Sequence, residues 1–324
     1  MGSNSCSWKF YNMAYHASEW KVMLMEIGII GAGSIGLLYS FYLSKNYTVT
    51  LYTNRKEQAD IINEEGITVI KDGTQSLTKV HAEYERNYQE QLLIISVKQY
   101  DIEPIIEVLK KLSSRTVLFL QNGMAHLPFL SSLSHHKIVL GIVEHGALRI
   151  DVHTVEHTGI GRTKLSYYNS KNSDNTWIEQ LLVEKHPCFP IELKEDWQKM
   201  LNEKLIANAT INPLTTILKV KNGELIENEH FNVLLYELFT EVINVLGLQN
   251  ERQLWDYVQN ICKNTAQNES SMYKDIQKGN QTEIDAILGY CLHQAKNRNL
   301  AMPHITFLYH SIKGIEVRKG ERDG

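Results

Sequence analysis

Three polar residues of the 324-residue chain, Lys204, Asn208 and Asn212, recur at i, i+4 and i+8, a spacing that lines one helical face. Asparagine is a poor helix-interior residue because its amide competes for backbone groups, so two of them in register with a lysine point to a use. A solvated face would mix charges, and this one does not. The stripe reads as a functional surface. Trp197, Leu201 and Leu205 sit at core spacing beside it. Pro213 disfavours helix at Asn212, which predicts that stripe and helix end together.

A second group of residues suits phosphates. Gly31-Ala32-Gly33-Ser34-Ile35-Gly36 follows the apolar run Ile27 to Ile30 and opens a helical pattern through Ser44, with a second apolar strand at Thr48 to Tyr52. Strand, glycine turn, helix and strand form a βαβ unit, the setting that gives this glycine spacing a mechanism. Gly31 permits the tight turn, Gly33 lets the backbone approach a pyrophosphate, and Gly36 lets helix and strand pack. The helix N-terminus offers free N–H groups and the positive end of its dipole. After the second strand the chain reads Thr53-Asn54-Arg55-Lys56, with no acid until Glu57. An acid there would hold a ribose hydroxyl and repel a 2′-phosphate. Arg55 can instead hold that phosphate bidentately, with Lys56 adding charge, so NADP is favoured over NAD.

Two loops that close predicted strands carry further polar groups. Ligands of open α/β sheets bind outside the carboxyl ends of the strands, which places Lys98 of Ser96 to Tyr100 to meet a nucleotide. Asn122 of Leu120 to Gly123 is placed to bridge nicotinamide and substrate, although Asn122-Gly123 taken alone is a tight turn. Asn268 with Ser271, and Asn280 with Glu283, read as helix starts, the latter a capping box. Such starts are also compatible with carboxylate binding.

The elements that must position these groups fall into two halves. Strands are predicted at 26–30, 48–52, 91–97, 116–120 and 138–143, with a helix at 103–112 between two of them. From Lys194 the pattern is helical, at 194–212, 228–247, 250–265 and 281–299. The fold class is therefore an α/β N-terminal Rossmann-type, doubly wound sheet plus an all-α C-terminal domain. The domains are expected at 25–193 for dinucleotide binding and 194–324 for substrate and catalysis. Residues 1–24 are set aside as a poorly ordered leader, and the charged tail from Lys313 is expected to fray.

Composition narrows the partners. Lys plus Arg number 33 against 37 Asp plus Glu, a net charge of −4 without the footprint of a nucleic-acid binder. The four cysteines have no ligand spacing, and no segment approaches the roughly 20 apolar residues of a membrane span. His145, His153 and His157 lack a nearby acid pair, so no metal site is expected. A cytoplasmic protein acting on a small molecule fits, with the helical half offering a face for a homodimer.

In combination these motifs resemble the ketopantoate reductase (2-dehydropantoate 2-reductase) family over residues 25 to about 312. The resemblance rests on Gly31 to Gly36, Arg55, Ser96-Val97-Lys98, Leu120 to Met124, Lys204 to Thr215, Asn222 to Leu225, Ser270 to Met272 with Asp275, and Thr282 to Asp285. It implies NADPH-dependent reduction of 2-dehydropantoate to pantoate, a step toward pantothenate and coenzyme A. It further implies that Lys204 is the general acid and that Glu283 helps hold the ligands. Substrate contacts would fall on Asn122, Asn208, Asn212, Asn222, Ser271 and, more weakly, Asn268. Gly146 would add a backbone contact to the cofactor. The rival readings are a reductase of another 2-keto acid and a non-catalytic NADP-sensing protein. The 2′-phosphate reading predicts that Arg55→Ala weakens NADPH binding far more than NADH binding in a fluorescence titration. Equal losses for both would remove Arg55 from that role.

Overall fold

A computed structural model describes residues 25–169, 176–183 and 185–320, so the expected leader lies outside the described residues. The chain divides into two compact units. The first holds the described residues up to Val97, then Val108–Leu120 and Leu133–Glu195; the second holds Lys98–Glu107, Gln121–Ser132 and the chain from Asp196. Two loop segments that the sequence places with the sheet thus group with the helices.

In chain order the elements begin β1 (Glu26–Ile30), α1 (Ser34–Leu43), β2 (Thr48–Tyr52), α2 (Lys56–Glu65), β3 (Ile67–Lys71), β4 (Thr74–Thr78), β5 (His81–Glu83) and β6 (Leu92–Ile95). They continue α3 (Glu103–Leu109), β7 (Thr116–Phe119), α4 (Leu127–Leu130), β8 (Lys137–Val143), β9 (Gly146–Arg149), β10 (Thr154–Gly159), β11 (Thr163–Tyr167), α5 (Thr176–Val183) and β12 (Ile191–Leu193). The remainder is helical: α6 (Trp197–Leu218), α7 (Glu224–Glu227), α8 (Glu229–Leu246), α9 (Glu251–Asn264) and α10 (Ser271–Gln277). A π-helical turn (Asp285–Gly289), α11 (Tyr290–Asn297) and α12 (Pro303–Gly320) complete it.

In the first unit the five expected strands form the centre of an eight-stranded sheet ordered β12-β11-β8-β7-β6-β1-β2-β5. Strands β8 through β5 run parallel, and β11 lies antiparallel to β8. β6 and β7 are buried at every residue, as strands covered on both faces must be. A second, four-stranded sheet, β4-β3-β10-β9, was not expected from the sequence. It explains α1, which is buried at every residue from Gly36 to Leu43 and packs against strands of both sheets. A helix that is apolar all round needs such two-sided cover. Inside it, the Tyr39 hydroxyl pairs with the hydroxyl of Thr163 on β11, both groups fully buried.

In the second unit Asp196 caps α6, accepting from the Lys199 N–H at 3.0 Å, and Lys219 closes it in the left-handed region at φ 58°. The expectation that α6 stops at Asn212 is corrected: the helix runs through Pro213 to Leu218. A proline there forfeits the N–H that would meet the Ala209 carbonyl, a cost of about 3 kcal/mol for an isolated helix. Burial offsets it, since every residue from Ala209 to Thr216 is buried and α6 packs against α8, α9, α10 and α12. The tail is corrected as well. Rather than fraying from Lys313, α12 continues to Gly320, and only 321–324 lie outside the described residues. Among the described residues no helix is long and apolar enough to cross a membrane.

Truncating the Tyr39 hydroxyl should leave that of Thr163 buried and unpaired. Tyr39→Phe is therefore expected to lose about 1–3 kcal/mol in urea denaturation. No measurable loss would show that the pair does not hold α1 to the sheet.

Candidate active site

The glycine loop sorts its own residues. Gly31 has φ +112°, and a Cβ there would lie 2.8 Å from Val97 Cγ1 and 2.9 Å from the Val97 nitrogen. A Cβ on Gly36 would sit 1.7 Å from the Gly31 carbonyl oxygen. Both glycines are required by the turn and its packing. Gly33 is different: its φ is an ordinary −82°, and a Cβ would meet nothing within 4 Å. No neighbour within the protein asks for glycine at 33, whereas a phosphate laid on the backbone does. Gly33 also stands at the N-cap of α1 with no capping side chain, an arrangement that suits an anion at the first N–H groups. Ala32 is buried beneath the loop, and Ser34 and Ile35 form the half-buried first turn. Arg55 is exposed at the head of α2, its carbonyl accepting from the Thr53 hydroxyl at 2.8 Å. Gly146 opens β9, where a Cβ would come within 2.5 Å of Thr158 Oγ1, so strand packing alone accounts for that glycine.

In the second unit one narrow pocket gathers Asn122, Asn208, Asn212, Ser271 and Glu283, with Met272, Asp275 and Ile287. Asn208 and Asn212 reach it from successive turns of α6. Lys204, one turn earlier on the same face, is half-buried and stands outside the lining, as do Asn222 and Asn268. Asn222 is buried, its amide donating to Thr265 Oγ1 at 2.9 Å while its Oδ1 has no partner among the described residues. Asn268 is exposed, and its carbonyl accepts from the Asn222 N–H.

Both helix starts differ from expectation. Ser270, not Asn268, caps α10 by accepting from the Tyr273 N–H at 3.2 Å, and it also accepts from the Thr215 hydroxyl of α6 at 2.8 Å. Asn280 turns toward Asp275, and Glu283 precedes the π-helical turn instead of closing a capping box. The Glu283 carboxylate is thereby free to accept from the Asn122 amide at 2.9 Å.

Asn122 is itself fixed by that turn. Gly123 has φ +77°, a Cβ on it would lie 2.1 Å from the Ala286 carbonyl oxygen, and that oxygen accepts from the Met124 N–H at 3.3 Å. The Asn122-Gly123 turn is thus shaped to dock on the segment that carries Glu283. Lys98 completes the group, its ammonium 2.9 Å from Asp275 Oδ2. Burial works against the charge on Lys98, but Asp275 and, more weakly, Glu283 outweigh it and raise its pKa. Burial raises Glu283 above the ordinary carboxylate value; the Asn122 amide, Lys98 and the Gln99 backbone oppose this, and Asp275 reinforces it. Asp275 entered the sequence reading only within a motif, because nothing local shows its pairing with a lysine 177 residues away. Among the described residues no cluster of three or more His, Cys, Asp or Glu could hold a metal.

Residues 27–170 match the family model "Ketopantoate reductase PanE/ApbA", and residues 196–316 match "Ketopantoate reductase PanE/ApbA C terminal". The chain belongs to the ketopantoate reductase family. It is 42% identical over 293 residues to the 2-dehydropantoate 2-reductase of Bacillus subtilis, covering 90% of this chain and 98% of that protein. It is also 42% identical over 304 residues to the 2-dehydropantoate 2-reductase of Listeria innocua, covering 92% and 98%. The crystal structure of the probable 2-dehydropantoate 2-reductase panE from Bacillus subtilis superposes with a TM-score of 0.85 at 41% identity, covering 90% of this chain and 100% of that one. The α/β sheet unit followed by a helical unit is thus the architecture of a ketopantoate reductase.

In this family member the raised pKa of Glu283 has a consequence for stability. The folded state holds its proton to higher pH than the unfolded chain, so the contribution of this group is present at low pH and lost as pH rises through the folded value. Glu283→Gln keeps an acceptor for Asn122 without the buried charge. In urea denaturation it should gain stability over the parent at pH 8 and not at pH 4.5. A difference that does not change with pH would sink this account.

Proposed function

We propose that the protein reduces 2-dehydropantoate to pantoate with NADPH in the cytoplasm, as a step toward pantothenate and coenzyme A. The observation that carries the reading is the pocket where Glu283, held by Asn122, meets Asn208 and Asn212 of the Lys204 helix, in a chain of the ketopantoate reductase family. The ligand is a small 2-keto acid. A polar pocket of carboxamides with a flanking ammonium suits its carboxylate and keto oxygen.

NADPH, when bound, supplies the hydride. On the protein side, Gly31 to Gly36 and the head of α1 would take its pyrophosphate, Arg55 its 2′-phosphate, and Lys98 and Gly146 would add contacts. As the keto carbon is reduced, negative charge gathers on its oxygen. The Lys204 ammonium stabilises that charge and delivers the proton, leaving a hydroxyl. Asn208 and Asn212, fixed on the same helical face, hold the substrate in one orientation and lower the entropic part of the barrier. Ser271 and Asn122 add polar contacts from the opposite elements of the pocket. The orphaned Oδ1 of Asn222 suits a hydroxyl donor such as the one at C4 of this substrate, with Asn268 a weaker contact beside it. Glu283 keeps Asn122 oriented and presents its carboxylate to the bound ligands.

The test is NADPH absorbance with purified protein and 2-dehydropantoate, against other 2-keto acids and NADH. Rapid oxidation with 2-dehydropantoate supports the reading; oxidation with a different keto acid replaces the substrate, and binding without turnover makes the protein an NADP sensor. Lys204→Ala is expected to lower kcat on the order of 10²–10³-fold with NADPH affinity little changed. Near-normal turnover in that variant would take lysine out of the mechanism.

A further inference from the structure

The residues around Glu283 are tied to α12 on both sides, and Glu283 alone is left for the pocket. Glu316 Oε1 accepts from the Thr282 N–H at 2.8 Å and from the Thr282 hydroxyl at 2.7 Å. The same hydroxyl accepts from the Ile284 N–H at 3.2 Å, so one carboxylate oxygen orders the backbone before and after Glu283. Glu316 Oε2 lies 3.2 Å from Lys313 Nζ, which in turn lies 3.0 Å from Asp285 Oδ2, while the Tyr309 hydroxyl donates to Asp285 Oδ1 at 2.7 Å. Thr282 is 1% exposed and the Glu316 side chain 11%, so water competes little for these bonds.

The arrangement answers a conflict in the local sequence. The first N–H groups of a helical turn need acceptors, and the usual one at this spacing is a carboxylate folded back on the chain. Had Glu283 filled that role its oxygens would be unavailable to Asn122. An acceptor brought from a distant helix removes the conflict.

We infer that Glu316, acting through Thr282, is a positioning residue that sets the Glu283 carboxylate against Asn122 in the pocket. The inference rests on the placement of Glu283 in the active site under the proposed function. The Glu316 carboxylate bonds Thr282 and Lys313, neither of which lines the pocket, so its effect passes through the backbone of 282–284. That segment leads into the π-helical turn, a departure from α-geometry often found at functional sites.

The test compares Glu316→Ala and Thr282→Val with Glu316→Gln and Thr282→Ser, each as the full chain, by NADPH oxidation with 2-dehydropantoate. Folding is followed by circular dichroism and NADPH affinity by fluorescence. Glu316→Ala and Thr282→Val should lower kcat on the order of tenfold or more, because small displacements of a site group are costly. The Gln and Ser variants keep the bonding atoms and should stay within about threefold of the parent. A purely structural role would move melting temperature and leave the kcat of the folded fraction unchanged. The decisive comparison is Thr282→Val made on top of Glu283→Ala, where a residue acting through Glu283 should add almost nothing. An undiminished further loss there, unchanged kcat in the single variants, or failure of the conservative pair to rescue would each overturn the inference. If Glu283→Ala keeps normal turnover, the placement of Glu283 in the active site fails as well, which separates the two ideas.

Discussion

A buried carboxylate beside a second carboxylate is an unfavourable arrangement, and the second unit is organised around making it tolerable. Glu283 and Asp275 line the same pocket, and the Asp275 carboxylate raises the energy of charging Glu283. Lys98 supplies the compensating charge through Asp275, and Asn122 supplies a directed hydrogen bond to Glu283. Removing the Asn122 amide would take away a directed bond to Glu283, and removing Lys98 would take away the charge that faces Asp275. The pocket therefore depends on loops that follow β6 and β7 as much as on the helices. That dependence is the physical reason those loop segments group with the helical unit.

The same economy shapes α6. Its first half presents Lys204, and its second half, beyond Asn208, is buried at nearly every position. The Thr210 and Thr216 hydroxyls bond carbonyls a turn back within the helix and that of Thr215 bonds Ser270, so they add no unpaired groups to that burial. The helix can then continue beyond Asn212 through a proline that would end an exposed helix. Local propensity and tertiary packing disagree at Pro213, and packing wins because five other α-helices lie against this one.

Much of this was legible in the sequence wherever the signal was local. The central strands, the glycine turn and the polar stripe each follow from residue type and spacing over a dozen residues. The second sheet was not, because β4 is mostly polar and β9 and β10 form a short antiparallel pair with a bulge near Gly159. Yet a trace of it was present: α1 is apolar on every side, which a single sheet cannot cover. The helix starts were misread for a related reason. Asn268 and Ser270 are both acceptable caps, and the choice between them is made by Thr215 on another helix. Likewise, the spacing of Asn280 and Glu283 fits a capping box, and only the acceptor from α12 shows that Glu283 is used elsewhere. A tail that looks ready to fray supplies that acceptor.

The glycine loop shows how far such reasoning can separate fold from function. A motif of three glycines is commonly read as one unit, yet the three have different causes here. Gly31 answers to a positive φ and the nearness of Val97, and Gly36 to a carbonyl that leaves no room for a side chain. Either would be needed in a chain that bound nothing. Gly33 has ordinary backbone angles and open space above it, so the fold would accept alanine there at no steric cost. Open space beside an ordinary backbone leaves room at Gly33 for something outside the protein. The adjacent uncapped N–H groups of α1 make an anion the chemistry that fits. An anion is also the ligand class that the motif and the family imply.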